Sequence, residues 1–244
     1  MRRIAKIFAT GAGIAAASYA SYVLATWLRY GRTKPARGAA RDELLDSVMP
    51  RYEVVDRHSM KVAAPAEITI AAAESVELTD SRIVRGIFKA RELFLRGHSE
   101  PGEAKPLPRG LLASMKAIGW AVLAESSTEI VLGAVTKPWE AQPMFRPLTP
   151  EQFGAFSEPD YVKIVWTLRA DHEPDGSSTF RTETRALATD PGARRKFRAY
   201  WAFLSPGVIL IRNLLVPAVA SAAERMAKGE YRHEPKYTDR AHLH

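Results

Sequence analysis

The stretch from Phe197 to Val219 places the tightest constraint on the fold. Phe197, Trp201, Leu204, Val208, Ile211, Leu215 and Val219 recur at three- or four-residue spacing and draw one apolar stripe along a helix. Asp190 suits the N-cap of that helix and Pro191 its first position, where a missing N–H costs nothing. Ser205-Pro206-Gly207 is expected to kink or restart the helix, and Pro217 to bend it again. Arg212 and Asn213 interrupt the apolar run, which argues against a membrane span there. A long helix with one apolar face needs a broad apolar surface to lie on.

The residues ahead of it supply such a surface. In Tyr161–Ala170 the side chains of Val162, Ile164, Trp166 and Leu168 alternate with Tyr161, Lys163, Val165, Thr167 and Arg169, the two-residue period of a strand. Glu173-Pro174-Asp175-Gly176 is a turn signal, and Ser178–Ala188 returns as the hairpin partner. A second hairpin is expected from Gly119–Glu125 and Glu129–Lys137, joined at Ser126-Ser127-Thr128. Residues 52–62 read as one further strand. Two short helices are expected within residues 66–96, broken near Thr79-Asp80, with a loop over 98–110. Leu111–Ala117 reads as a short helix and Thr149–Phe156 as a helical turn opened by Pro150. This order predicts an α+β fold, a curved antiparallel sheet wrapped around the long C-terminal helix. A single helix rarely fills such a concavity, so a cavity is expected between the two.

The net charge of +8 raises the possibility of a nucleic-acid partner, but its distribution argues against one. Residues 1–41 hold Arg2, Arg3, Lys6, Arg29, Arg32, Lys34, Arg37 and Arg41 and no acidic residue, which accounts for the whole excess. The rest of the chain is formally neutral and lacks the basic stripe that a nucleic-acid binder carries on its folded domain. From Ile7 to Leu28 there is no charged residue, and a helix of that length reaches roughly 33 Å, enough to cross a hydrocarbon core. Basic residues flank both ends, Trp27 sits near one boundary, and the apolar run continues past the signal-peptidase-like Ala15-Ala16-Ala17. An uncleaved transmembrane anchor is therefore favoured over a secretory signal. Ala9, Gly13, Ala17, Ser21 and Ala25 fall four apart, a small-residue face that permits self-association in a bilayer. The positive-inside bias weakly places the following domain in the cytoplasm. Gly11-Ala12-Gly13-Ile14-Ala15-Ala16 fits a loose dinucleotide fingerprint. No strand precedes it and no acid follows at the required distance, so no nucleotide cofactor is expected.

Catalytic chemistry is not legible. The absence of cysteine excludes a thiolate nucleophile, a disulfide framework and a thiolate zinc site. The six histidines show no metal-ligand spacing, and neither a nucleophile elbow nor a phosphate loop occurs, so no metal is expected. The candidate polar set is Arg181, Glu183 and Arg185, which share one face of their strand. They either orient a ligand inside the cavity or form a charged solvent face, and a period of two does not choose between these. Arg194, Arg195, Lys196 and Arg198 crowd the start of the last helix, where the helix dipole disfavours cations. They read as a solvated cluster, with Asp190 or an anionic partner as compensation.

Two segments carry a family resemblance. HSMKVAAPAEITIAAA (58–73) is similar to the first strand and the Ala-Pro-Ala-Glu helix start of the START-like helix-grip (SRPBCC) superfamily. TFRTETRALATDPGARRKFRAYWAFLSPGVILIRNLL (179–215) resembles its last strand and gripping helix, with Thr-Glu-Thr-Arg (182–185) and Phe-x-x-Tyr-Trp (197–201) as in a bacterial subgroup. That superfamily includes polyketide cyclase/dehydrase-like and lipid-transport domains. The resemblance implies a domain over residues 50–226, between an anchor (1–28) with a basic linker (29–49) and a polar tail (227–244). The expected function is a membrane-anchored binding or carrier domain for a hydrophobic small molecule or lipid. The alternative is a cyclase- or dehydrase-like enzyme acting on a cyclic apolar substrate. The expected ligand-binding residues are Val162, Ile164, Trp166, Leu168, Glu183 and Arg185 from the sheet, and Trp201, Leu204 and Val208 from the helix.

Overall fold

The computed structural model describes residues 2–77 and 107–229, together with Gly86 and Leu95. The second helix expected within 66–96, most of the 98–110 loop and the tail beyond Gly229 lie outside the described residues. The elements are helix α1 (Arg2–Arg29), α2 (Glu43–Val48), strand β1 (Val54–Val62), α3 (Ala66–Ser75), α4 (Leu111–Ala117), β2 (Ala121–Glu125) and β3 (Glu129–Thr136). There follow α5 (Pro150–Ala155), β4 (Val162–His172), β5 (Ser178–Ala188) and α6 (Pro191–Ala227).

The strands form one antiparallel sheet in the order β1-β5-β4-β3-β2. The hairpin of β4 and β5 lies at its centre, with Ile164 opposite Ala186, Trp166 opposite Thr184 and Leu168 opposite Thr182. Because side chains alternate across a strand, this register assigns each face. Val62, Leu132, Ala134, Trp166, Leu168, Ala170 and Phe180 pack together with Leu215, Val216 and Val219 of α6 and with α3. Val131, Val135 and Val165 point the other way and pack with Leu123, Phe153 and Leu45. A large apolar side chain taken out of water stabilises by about 1.5–3 kcal/mol, so both faces contribute to the core.

The second face is covered in part by residues that precede β1. Asp42 caps α2 by accepting from the Leu45 backbone N–H, and Leu45 and Met49 are buried against the sheet. Helix α5 covers the same side, its start held by a capping box between Thr149 and Gln152.

At the last helix the sequence rules hold locally. Asp190 accepts from the N–H groups of Gly192 and Ala193, and Pro191 opens the helix. The expected restart at Ser205-Pro206-Gly207 does not occur, since α6 runs on through Pro206 and Pro217. Among the described residues, α6 is the helix long and apolar enough to cross a membrane by length and composition. The sequence places the expected span in the N-terminal helix instead and argues against one here. Leu215, Val216, Val219, Ala222 and Ala223 bury one face of α6 on the sheet, as a core helix requires. Helix α1 pairs with it: the Tyr19 hydroxyl donates to the Phe203 carbonyl at 2.6 Å, and the Tyr22 hydroxyl meets that of Ser205 at 2.8 Å.

Candidate ligand cavity

Helix α6 touches the sheet at two places and stands off between them. Near its start Phe197 packs with Val54, Val162 and Ala186. Farther on, Leu215 and Val219 join the main core. From Pro206 to Leu214 no residue of the helix is fully buried, although one face of that segment looks toward the sheet. The gap beneath it is a cavity of about 610 Å³, within the range of small-molecule sites.

Val54, Ile164, Thr184 and Ala186 form its floor, and Trp201, Leu204, Val208, Ile211 and Arg212 its roof. Trp120, Pro138, Pro143 and Phe145 close one side, while Tyr19 of α1 and Phe203 border the other. The Trp120 wall depends on Gly119, whose φ of +104° and close approach to the Phe145 carbonyl leave no room for a Cβ. Trp120 thereby packs on Phe145 in a tilted arrangement, ring centroids 5.6 Å apart, and meets Trp166 edge-on at 6.3 Å.

Of the expected ligand-binding residues, Ile164, Trp201, Leu204 and Val208 come together on this cavity. Val162, Trp166 and Leu168 share the helix-facing side of the sheet but are packed into the flanking clusters. Glu183 and Arg185 are elsewhere, because their register points them to the opposite face. There Arg57 donates to both Glu183 carboxylate oxygens, at 2.7 and 2.9 Å, and Arg185 Nε donates to Oε1 at 2.7 Å. Arg185 also donates to the Met49 carbonyl, pairs with Asp46 at 2.8 Å and lies over the Tyr52 ring. Arg181 pairs with Asp171. The trio is therefore not in this cavity: Arg181 is partly exposed, while the buried Glu183 and Arg185 fasten the segment before β1 to the back of the sheet.

Three of the four basic residues at the start of α6 are internally engaged, and Arg195 is exposed. Arg194 pairs with Glu53, Lys196 with Asp160, and Arg198 donates to the Trp27 carbonyl while stacking on the Trp27 ring.

The residue missing from the sequence-based set is Arg212. Its Nη2 donates to Thr184 Oγ1 at 3.0 Å, and its guanidinium lies 3.7 Å from the Trp166 ring centre. Trp166 is held for this contact by its indole N–H, which donates to Thr182 Oγ1 at 2.6 Å. Part of the Arg212 side chain is accessible from the cavity, whereas Nε is sealed and has no hydrogen-bond partner. Desolvation lowers the Arg212 pKa to about 9, opposed by the charge of Asp56, so the guanidinium is still a cation at neutral pH. The Trp120 indole N–H, on the same cavity, is likewise buried without an acceptor. The signal for Arg212 was present in the sequence as the break in the apolar stripe.

No protein-family model matches the chain, and no curated protein matches it. Among solved structures it is similar to the Zhui aromatase/cyclase from Streptomyces sp. R1128, with 15% identity and a TM-score of 0.25 over 70% of this chain and 94% of that one. It is also similar to Ara h 8.0201, with 8% identity and a TM-score of 0.25 over 70% of this chain and 97% of that one.

Proposed function

We propose that the chain binds a hydrophobic small molecule between the sheet and α6, and that residues 7–28 hold this binding domain at a membrane. The observation that carries the reading is the cavity of about 610 Å³ with its apolar and aromatic lining. Arg212 is the one charged residue among the described lining residues. Cyclase or dehydrase chemistry would need acid and base groups converging on the substrate, so a cavity with a single cationic end favours binding and carriage. The membrane part rests on the uncharged run from Ile7 to Leu28, on the exposed Ile14, Leu24 and Leu28, and on the basic residues that follow.

The test fills the cavity instead of emptying it. The full chain, extracted in a mild detergent, is expected to carry a co-purified apolar molecule visible by native mass spectrometry. In Val208→Trp the added ring occupies the cavity, so the bound mass should vanish while the melting temperature holds or rises. A wild-type chain that carries no ligand, and whose melting temperature no apolar compound shifts, would contradict the reading.

A further inference from the structure

Burying a cation beside aromatic and aliphatic side chains is costly unless an anion or a full set of acceptors receives it. Arg212 has neither among the described residues. Thr184 takes one of its five N–H donors, Nε has no acceptor, and no described carboxylate lies within the 4.0 Å of an ion pair. Asp56, which stands directly opposite Thr184 on β1 and whose charge acts on Arg212 from beyond ion-pair distance, is already engaged with His58 at 3.0 Å. The Trp120 indole N–H is a second buried donor without an acceptor, and Trp120 and Arg212 flank the same Trp166 ring. The two orphaned donors are themselves sealed, but the remaining guanidinium N–H groups of Arg212 and its charge without an ion-pair partner, on an otherwise apolar cavity, describe the complement of one small anionic acceptor with an apolar body.

Resting on the proposed ligand cavity, we infer that its ligand is a monocarboxylic amphiphile whose carboxylate is received by Arg212 and whose apolar body lies against Ile164, Trp201, Leu204 and Val208. A guanidinium takes a carboxylate through two parallel N–H bonds and balances its single charge. A phosphate monoester carries about 1.5 to 2 negative charges at neutral pH, more than one arginine offsets. An alcohol or a hydrocarbon of the same length leaves the cation as it was.

The experiment uses the full chain in detergent at pH 8 with two probes, 11-bromoundecanoate and 11-bromoundecanol. Bromine quenches tryptophan only at short range, so loss of Trp120, Trp166 and Trp201 emission reports occupancy of the cavity. The wild type is expected to bind the acid at least about tenfold more tightly than the alcohol. Arg212→Met and Arg212→Gln should each bring the two probes within about twofold of one another, with the affinity for the alcohol unchanged. Arg212→Lys, which keeps the charge, should retain most of the preference. Removing an unpaired buried cation should leave the melting temperatures of the Met and Gln variants at or above the wild-type value, so lost preference is not lost fold. Equal affinity of the wild type for both probes, or a preference that survives in both neutral variants, would overturn the carboxylate assignment while leaving the cavity as a binding site. Failure of the wild type to bind either probe would overturn the binding reading itself, and this inference with it.

Discussion

Glu129 sits at the start of β3 on the sheet face away from the cavity, buried beside Asp42 and accepting a hydrogen bond from Thr167. Burial raises its pKa from 4.5 to about 8, and the hydrogen bond and negative charge of Asp42 push the same way, with Arg169 opposing. A carboxyl whose pKa is higher folded than unfolded favours the folded state while protonated. Its contribution is complete below about pH 4.5, declines as pH rises through about 8, and is level above that. Glu129→Gln keeps the shape, can donate to Asp42 at every pH and never ionises. It is expected to match the wild type near pH 4 and to exceed it by about 2–4 kcal/mol at pH 9. Melting curves of both proteins across that range check this, and parallel pH profiles would refute it. Nothing in the sequence marks Glu129, because its partner Asp42 is distant along the chain and meets it only when α2 docks. Arg212 was visible as a break in the stripe, but its role depends on which sheet residues lie opposite, and that is a matter of register.

At the scale of elements, β5 and the Pro191 start of α6 were legible to the residue. Their signals are local: a period of two, the Glu-Pro-Asp-Gly turn ahead of β5, a cap, and proline at a first helical position. The helix-facing side of β4 was legible too, since Val162, Ile164, Trp166 and Leu168 are all apolar. The faces of β5 were not, because Thr182 and Thr184 on one side and Glu183 and Arg185 on the other are all polar, and only pairing with β1 and β4 orients them. The packing of residues 42–49 was missed because α2 has only Glu43–Val48 to show a pattern, too few for helical periodicity to register. Its worth is measurable. Leu45 is fully buried, so Leu45→Ala should cost about 2–5 kcal/mol, whereas a change in a free linker costs no more than about 0.5. Chemical unfolding of the two chains decides, and an unchanged midpoint would show that α2 adds nothing to the fold.

Across the whole molecule, α1 and α6 act as one unit, and the membrane reading has to respect that. The hydroxyls of Tyr19 and Tyr22 are bonded to residues 203 and 205, and Trp27 is clasped by Arg198, so the C-terminal half of α1 lies along the first half of α6. The uncharged run of α1 therefore does not stand clear of the domain over its full length. The exposed apolar residues Leu24 and Leu28 of α1 and Phe203 of α6 belong to this paired region. Tyr19 and Phe203 also border the cavity, so the proposed membrane attachment would give an apolar ligand a route beside them that avoids bulk water. This arrangement predicts two separable effects of removing residues 1–28. The full chain should stay with membranes through high-salt and carbonate washing, and the shortened chain should be released by them. The shortened chain should also melt at a lower temperature, because it loses the tyrosine hydrogen bonds and leaves Phe203 and its neighbours uncovered, whereas an independent anchor would leave the melting temperature unchanged. Recovery of a secreted protein beginning near Ser18 would instead establish cleavage of a secretory signal. Retention of the shortened chain on washed membranes would move the attachment from α1 to the exposed side of α6.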